Sequence, residues 1–569
     1  MDQKSIIRQL KLIIKLMELH DENTFKIRSY QSAVNAIERG EDVSIVDKSI
    51  DELQKINGVG KSIAEVIYSF YTTGGSAYLD ELLAKTPMGI LEVLEIKGLG
   101  PKKVKVLWEQ MDITSTHELL EACQAGQVAK IKGFGEKTQE SIIQALEFRA
   151  ANMGKWLFAD IEESMESLGR KLAEVKGVKK IVAVGEFARK MEIIETVEWL
   201  ISSENHHDVM AGLDNVEILE KDLKTSSPFK WRGKLKDPEV QLLIHLSEDK
   251  NFISEKLLRT GNKAHLLYPV MENKTMAAII RETQDAVREE EIYEKAGLSW
   301  VPEELREGFI EFDLSKNGGF DKLIKEDDLK GILHNHSTYS DGKHTLRQMA
   351  EFCKEQGYEY LGISDHSRTA SYAGGLDIDK VYKQQEEIDR LNKELAPFRV
   401  FKGIESDILT DGSLDYPKEV LESFDFIVAS IHSGLSMDRK KATARLLKAI
   451  ENPYTTILGH PTGRLLLRRE GYPVDHKVII DACAINDVVI EINANPWRLD
   501  LDWRWIQYAL EKGVKLAINP DAHEMEGYAD MRYGVIAGRK GGLTREMTFN
   551  AIGLKEMEKY FEERKSKIK

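Results

Sequence analysis

Nine side chains able to bind metal recur just beyond short apolar runs in the C-terminal part of the chain: His334, His336, Asp341, His366, Glu405, His432, His460, Asp521 and His523. The runs end at Ser364 before His366, at Gly403 before Glu405, at Ser430 before His432, at Gly459 before His460 and at Asn519 before Asp521. Short apolar runs bounded this way read as buried strands. In a barrel of alternating strands and helices the strand C-terminal ends converge on one face. Groups far apart in the chain then meet at one mouth. Nine hard or borderline ligands exceed what one tetrahedral zinc can use. They suit a cluster of two or three divalent ions, which is chemistry for cleaving phosphate esters.

His334-Asn335-His336 places two imidazoles on one face of a strand, because strand side chains alternate. The turn Ser340-Asp341-Gly342 can fold its carboxylate back onto the same place, and the Glu405 carboxylate can bridge two ions. A single histidine is more often a satisfied core or surface group, and His344 and His476 are read that way. That reading fails for six of the chain's fourteen histidines occurring with three carboxylates at strand ends. Arg368, Arg464 and Arg498 fall at the same face. Their guanidinium groups either hold phosphate bidentately or pair with Asp500 and other acids to fix loops.

At 569 residues the chain is long enough for several domains. A net charge of −15 gives no global basic field, which leaves local basic loops to meet any nucleic acid. Cys123, Cys353 and Cys483 are far apart and form no CxxC, which argues against a disulfide framework and fits a reducing compartment. The start, Met1-Asp2-Gln3-Lys4, lacks the apolar stretch of a signal peptide, and no run approaches the ~20 apolar residues of a membrane span. The expectation is a cytoplasmic protein with no membrane partner.

The first 150 residues read as helices punctuated by one repeated phrase, apolar-x-Gly-apolar-Gly. Its copies are Ile56 to Lys61 (Gly58, Gly60, Lys61), Ile96 to Lys102 (Gly98, Gly100, Lys102) and Ile131 to Lys137 (Gly133, Gly135, Lys137). Two glycines flanking an apolar residue let a tight turn present backbone N–H groups at a helix N-terminus, an anion site suited to a DNA phosphate. One copy would be a plain capping turn. Three copies of the same grammar point to DNA contact without sequence readout. Further on, Ile181-Val184, Val197-Ile201 and Val240-His245 read as strands, and residues 313–330, with Asn317-Gly318-Gly319, as a linker. The end, Lys565-Ser566-Lys567-Ile568-Lys569, reads as a loose basic tail.

The barrel region resembles the polymerase and histidinol phosphatase (PHP) domain, and nearly the whole chain resembles the bacterial family X DNA polymerases with a C-terminal PHP domain. The residues that carry this are Gly403 to Leu409, Asp411 to Asp415, His460-Pro461-Thr462-Gly463-Arg464, Glu491 to Pro496 and, centrally, Arg259 to His265. The glycine turns look like helix-hairpin-helix motifs. The resemblance implies a multidomain α+β and α/β protein. Its parts would be a helical lyase-like domain (1–82), a fingers-like helical domain with two helix-hairpin-helix turns (83–150), a nucleotidyltransferase-like palm (151–268), a thumb (269–312), the linker (313–330) and a distorted (β/α)7 PHP barrel (331–569). It implies a trinuclear centre on the nine residues above and metal-dependent 3′–5′ exonuclease or related phosphoesterase activity. Mn²⁺ is the first choice of ion, with Zn²⁺ and Fe²⁺ as alternatives.

The palm departs from the family's pattern. Where the family carries a Gly-Ser turn and then Asp-x-Asp, with a third Asp on a neighbouring strand, this chain has Gly185-Glu186, Thr196-Val197-Glu198 and Gln241. Thr and Gln bind Mg²⁺ weakly, and a carboxylate at 186 would repel a triphosphate. Nucleotide addition is therefore expected to be weak or lost. Lys26, in Asn23 to Tyr30, matches the lyase-like domain in style but reads as a solvated lysine. The rival readings are a gap-filling polymerase whose barrel proofreads, a small-molecule phosphatase and a non-catalytic DNA scaffold. A gapped, nicked or 3′-ended DNA is the expected partner. A 3′ terminus, an abasic site and a 3′-phosphate stand as alternative substrates, and the oligomeric state is left open.

Overall fold

The computed structural model describes residues 3–39, 45–96 and 98–568. Met1 and Asp2 at the start, Lys97 of the second glycine turn and the terminal Lys569 lie outside the described residues. No helix among the described residues is long and apolar enough to cross a membrane. Contacts divide the chain into two compact units, Met1–Met153 and Gly154–Lys569.

The first unit is helical. In its opening helix, Gln3–Leu19, the residues Ile6, Leu10, Ile13 and Met17 recur at helical spacing and are all fully buried. They belong to one core that continues through Phe70, Leu82 and Leu107 to Leu146. Each glycine turn leads into a helix of this unit: Lys61–Thr73, Pro101–Met111 and Gly135–Asn152.

The second unit begins with a five-stranded sheet: β1 (Lys180–Val184), β2 (Val197–Ser202), β3 (Leu219–Lys221), β4 (Lys230–Leu235) and β5 (Gln241–Ser247), in spatial order β1-β2-β5-β4-β3. β2 and β5 are parallel and the other pairs antiparallel. Apolar runs mark β1, β2 and β5 in the sequence. β4 has no such run, because exposed Lys230 and Arg232 flank the buried Trp231.

Seven parallel strands follow: β6 (Gly331–Ile332), β7 (Tyr360–Ile363), β8 (Arg399–Asp407), β9 (Phe426–Ser430), β10 (Ile457–Leu458), β11 (Val489–Asn493) and β12 (Leu516–Asn519). Neighbours in the chain are neighbours in the sheet. A helix follows each strand, from Leu346–Glu355 after β6 to Met531–Lys540 after β12. Beyond the ends of β6 and β12 the chain closes the ring. His336 N donates to Ala522 O at 2.8 Å and Asp521 N to His334 O at 3.1 Å, around the bridge Asn335–Ala522. With β6 and β10 only two residues long, this is a distorted, nearly closed (β/α)7 barrel.

Two expectations are corrected here. Residues 313–330 are not a loose linker. Helix Glu311–Lys316 enters the segment, Leu323 and Ile324 are buried, and Ile324 N donates to Leu543 O at 2.9 Å. The apolar pair gives the segment a core contact that a linker lacks. The tail is not loose either, since helix Leu554–Ile568 runs through it. Phe561 and Met557 from that helix join Phe401, Phe426 and Phe549 in an apolar cluster at the strand starts, with Phe561 stacked on Phe426 at 5.7 Å between ring centroids. Lys565 meets Asp425 at 2.7 Å, so the basic residues are the helix's polar side. The sheet, the segment after it and the barrel are tied by a buried charge group. Arg189 Nε and Lys540 Nζ approach Glu307 Oε1 at 3.0 and 2.9 Å.

Phe561→Ala should destabilise the barrel by about 3–5 kcal/mol, because it leaves a cavity at the floor, whereas Lys565→Ala should cost less than about 1 kcal/mol. Urea unfolding followed by tryptophan fluorescence measures both. Equal midpoints for the two variants would contradict the packing role of Phe561.

Candidate metal centre and nucleic-acid contacts

Six of the seven barrel strands deliver the nine expected ligands from their C-terminal ends. His334, His336 and Asp341 follow β6, His366 follows β7, Glu405 lies near the end of β8, His432 follows β9, His460 follows β10, and Asp521 and His523 follow β12. Their ligand atoms form four overlapping groups: His336–Asp341–His366–His523, His334–Glu405–His460, His334–His336–Asp521 and His366–Glu405–His432. The structure brings together every one of the nine.

Glu405 is the hub. Its Oε1 lies 3.0 Å from His460 Nε2, 3.1 Å from His432 Nε2 and 3.3 Å from His334 Nε2. Its Oε2 lies 2.9 Å from His366 Nδ1 and 3.7 Å from His336 Nε2. The two oxygens thus face different sets of imidazoles, as a bridging carboxylate requires. Asp521 Oδ1 lies 3.1 Å from His336 Nε2 and 3.5 Å from His334 Nε2. The Asp341 and His523 side chains are about a third exposed and form the outer, solvent-facing edge.

The donor set fits divalent ions. His334 Nε2, His336 Nδ1, His366 Nδ1 and Glu405 Oε2 are buried and crowd oppositely charged groups at 2.9–3.9 Å without forming a hydrogen bond of proper geometry. Buried polar atoms are rarely left so, unless an unseen ion or water completes them. Electrostatics agree. Burial alone would push Glu405 up, but His432, His334 and His366 outweigh it and hold its carboxyl well below the usual range. Burial with His523 and His366 pushes His336 down to about 3, so it is a neutral ligand at any working pH. His432 is drawn the other way. Burial lowers it, but Glu405 and Asp407 raise it to about 10. Against its burial, Asp341 and Asp521 raise His523 to about 9.

Sequence reasoning missed the groups that orient the ligands. β11 supplies no ligand but supplies Glu491, whose Oε1 accepts from His334 Nδ1 at 2.6 Å and whose Oε2 accepts from His460 N at 2.9 Å. Asp407 Oδ1 accepts from His432 Nδ1 at 2.5 Å. Such partners fix the tautomer and aim the other ring nitrogen at the cluster. Asp365, fully buried by the strand end, accepts from Ser337 N, Ser337 Oγ and Gln384 Nε2 at 2.8, 2.7 and 2.6 Å and so holds the His334–Asp341 loop. A buried acid inside an apolar run, as at Glu491, was the available signal.

The arginines divide. Arg498 Nε lies 3.3 Å from Asp521 Oδ2, at the edge of the cluster. Arg464 is corrected to a loop fastener. It pairs with Asp502 at 2.5 Å and donates to the carbonyls of Arg498 and Leu499, which leaves it little with which to grip phosphate. Arg368 is half exposed and donates to Asp415 O. His344 accepts from Met525 N, and His476 stacks on Trp505 at 4.6 Å, so both serve the fold.

In the helical unit, Gly58, Gly98 and Gly133 adopt φ of +85°, +88° and +96°, which only glycine takes without strain. Val59, Leu99 and Phe134 between the glycines are buried and pin the turns. Gly60 and Gly100 cap their helices with no side-chain cap, which leaves the first N–H groups to an outside acceptor. The third turn differs: Gly135 (φ +68°) is already the first helical residue. Lys61, Lys102 and Lys137 are exposed. Lys26 stands over the Tyr78 ring at 3.7 Å and lines an open depression of about 590 Å³ with Phe25, Arg28, Gly58 and Lys61.

On the five-stranded sheet, β2 and β5 pair Glu198 with Leu243, and the residue before Val197, Thr196, lies level with Gln241. The one carboxylate on β2 and β5, Glu198, hydrogen-bonds His245 Nε2 at 2.7 Å. Glu195 precedes the strand and pairs with Lys155 at 3.1 Å, and Glu186 accepts from Glu195 N at 3.2 Å. All four metal-capable groups among the described residues lie in the barrel.

Residues 1–76 match the Helix-hairpin-helix domain, 90–147 the SAM-like Helix-hairpin-helix tandem and 333–495 the PHP domain. The chain is 33% identical to the "DNA polymerase/3'-5' exonuclease PolX" of Bacillus subtilis (strain 168), covering 98% of this chain and 99% of that protein. The chain belongs to the family X DNA polymerases with a C-terminal PHP domain. Its barrel is also similar to a "Probable phosphatase" of Thermoanaerobacter sp. (strain X514), at 25% identity over 42% of this chain and 98% of that protein. A "Probable phosphatase" of Clostridium acetobutylicum is 28% identical over 34% of this chain and 78% of its own length. Membership in the PHP family and the His/Asp/Glu cluster together make the barrel a divalent-metal site.

Because His432 and His523 hold protons near neutrality without ions, metal uptake must release them. Affinity should fall as pH drops from about 9 toward 6, by roughly tenfold per pH unit for each proton released. Calorimetric titration with Mn²⁺ in buffers of different ionisation enthalpy counts those protons. Glu491→Gln should weaken uptake about 10–100-fold; unchanged affinity would remove Glu491 from the site.

Proposed function

We propose that the chain is a DNA-processing metallohydrolase, a metal-dependent 3′–5′ exonuclease or DNA phosphoesterase acting in DNA repair in the cytoplasm. One observation carries this reading: the nine-ligand centre, with buried nitrogens and a carboxylate oxygen that form no hydrogen bond, in a chain that also bears three helix-hairpin-helix turns. The name of the Bacillus subtilis relative supports the same direction of attack. Ions bound there, Mn²⁺ first and Zn²⁺ or Fe²⁺ as alternatives, would activate a water and polarise a phosphodiester. The protein's own groups do the rest. His334, His336, Asp341, His366, Glu405, His432, His460, Asp521 and His523 hold the ions, and Glu491 and Asp407 keep His334 and His432 aimed. Arg498 meets a phosphate at the rim, and Gly58, Gly60, Lys61, Gly98, Gly100, Lys102, Gly133, Gly135 and Lys137 hold the DNA backbone.

Polymerase activity is weak or lost in this reading. Two-metal nucleotide addition needs carboxylates that converge on both ions. The palm offers Thr196, Gln241 and one carboxylate, Glu198, already engaged by His245. Glu186 puts negative charge where a triphosphate would arrive. A second reading, a small-molecule phosphatase, is favoured by the likeness of the barrel to probable phosphatases. The helix-hairpin-helix unit speaks against it, since a small substrate needs no backbone-gripping turns.

A labelled gapped duplex with Mn²⁺ tests both halves. His336→Ala should abolish degradation of the 3′ end while DNA binding persists, and neither protein should extend the primer. An unchanged exonuclease rate in His336→Ala would contradict the assignment. So would robust extension that Glu198→Ala abolishes. Replacing Lys61, Lys102 and Lys137 with Glu should weaken binding of all DNA sequences alike and lower its salt dependence, while hydrolysis of a chromogenic phosphate ester stays at its original rate.

A further inference from the structure

We propose that Tyr372 is a stacking platform for the nucleobase of the terminal nucleotide at the metal centre, an assignment that rests on the DNA-cleaving reading above. Tyr372 is 71% exposed, yet it stands at the mouth of the barrel. Its ring centroid is 6.3 Å from that of His366. The charges acting on its hydroxyl are those of Asp407, Glu405, Asp341 and Arg498. Its hydroxyl bonds to nothing among the described residues. Tyr339, Tyr416, Tyr508 and Tyr528 of the same barrel instead donate to Glu387, Leu376 O, Asp481 and Asn335. The hydroxyls of Tyr472 and Tyr560 also lack a partner, but those residues pack into the barrel cores, whereas Tyr372 is exposed.

The backbone that carries the ring is nonetheless held in place. It sits in the short turn Ser371–Ala373, between buried Ala370 and Ala373. Gly374 reverses the chain at φ +69°, and Gly375 approaches so closely that a Cβ would lie 2.0 Å from Ser367 O. The bridge Ser367–Leu376 clamps the turn to the segment that carries His366. A phosphodiester that reaches the ions beside Arg498 would place its base within reach of this ring. Stacking on an aromatic face tolerates any base, as an exonuclease requires. It also separates nucleotide substrates from alkyl phosphate esters, which have nothing to stack.

Tyr372→Ala and Tyr372→Phe are assayed with Mn²⁺ on three substrates: a single-stranded oligonucleotide, the same strand ending in an abasic tetrahydrofuran residue, and glycerophosphoethanolamine, a diester with no aromatic ring. Tyr372→Ala should lower kcat/KM on the first by at least about fivefold, mainly through KM, and leave the other two unchanged. Tyr372→Phe should behave as the native protein. Equal loss on all three substrates, or none on the first, would overturn the platform. Failure of the DNA-cleaving reading would look different, with native protein hydrolysing the diester and leaving the oligonucleotide intact; that result would overturn both. A measurement independent of turnover uses 3′-terminal 2-aminopurine bound to His336→Ala. Its fluorescence should be quenched on binding, and adding Tyr372→Ala should remove the quenching. Quenching that survives would contradict stacking on this ring.

Discussion

A carboxylate buried among five imidazoles governs this structure. Glu405 is 1% exposed and faces His334, His336, His366, His432 and His460. An ionised group so deep in the protein is stable only where opposite charge and hydrogen bonds surround it. The partners come from four other strand ends, so their convergence requires the barrel to close. The closing contact is made by the ligand segments themselves, between the backbones of His334–His336 and Asp521–Ala522. Fold and metal centre therefore depend on the same short stretches. His460 and Asp521 adopt positive φ, at 22° and 54°, a conformation that non-glycine residues hold only when their surroundings impose it.

The five-stranded sheet tells the opposite story. Its polar side chains are engaged with one another. Glu198 hydrogen-bonds His245, and Arg189, beside the glycine turn at Gly185, is buried against Glu307 and Thr260 O. Glu307 also takes Lys540 from the last barrel helix. Arg504 and Trp503 meet Glu192 in the same region. These buried and half-buried pairs hold the sheet and the barrel together within the second unit.

Much of this was legible from residues alone, for a definite reason. Strand-end ligands are periodic and chemically rare, so His366, His432 and His460 announce both the strand and its direction. The glycine turns are legible because a left-handed φ at Gly58, Gly98 and Gly133 excludes most other residues. What remained hidden depends on contacts distant in sequence. Glu491 orients a histidine 157 positions away. Arg464 follows a ligand closely in sequence but turns to Asp502, because the carbonyls of Arg498 and Leu499 complete its donors there. Residues 565–568 look like a polar tail because their helix's apolar contribution, Met557 and Phe561, lies earlier in the chain. β4 escapes a search for apolar runs because its charged and buried residues alternate.

The central claim is that the nine groups hold several ions at once, bridged by Glu405. Anomalous diffraction at the manganese edge, from crystals of the protein grown with Mn²⁺, tests it most directly. The account requires two or three peaks within bonding distance of the nine side chains, at least two of them sharing Glu405, and none on the face of Glu198. A lone peak without Glu405, or a barrel mouth with no peak, would contradict it.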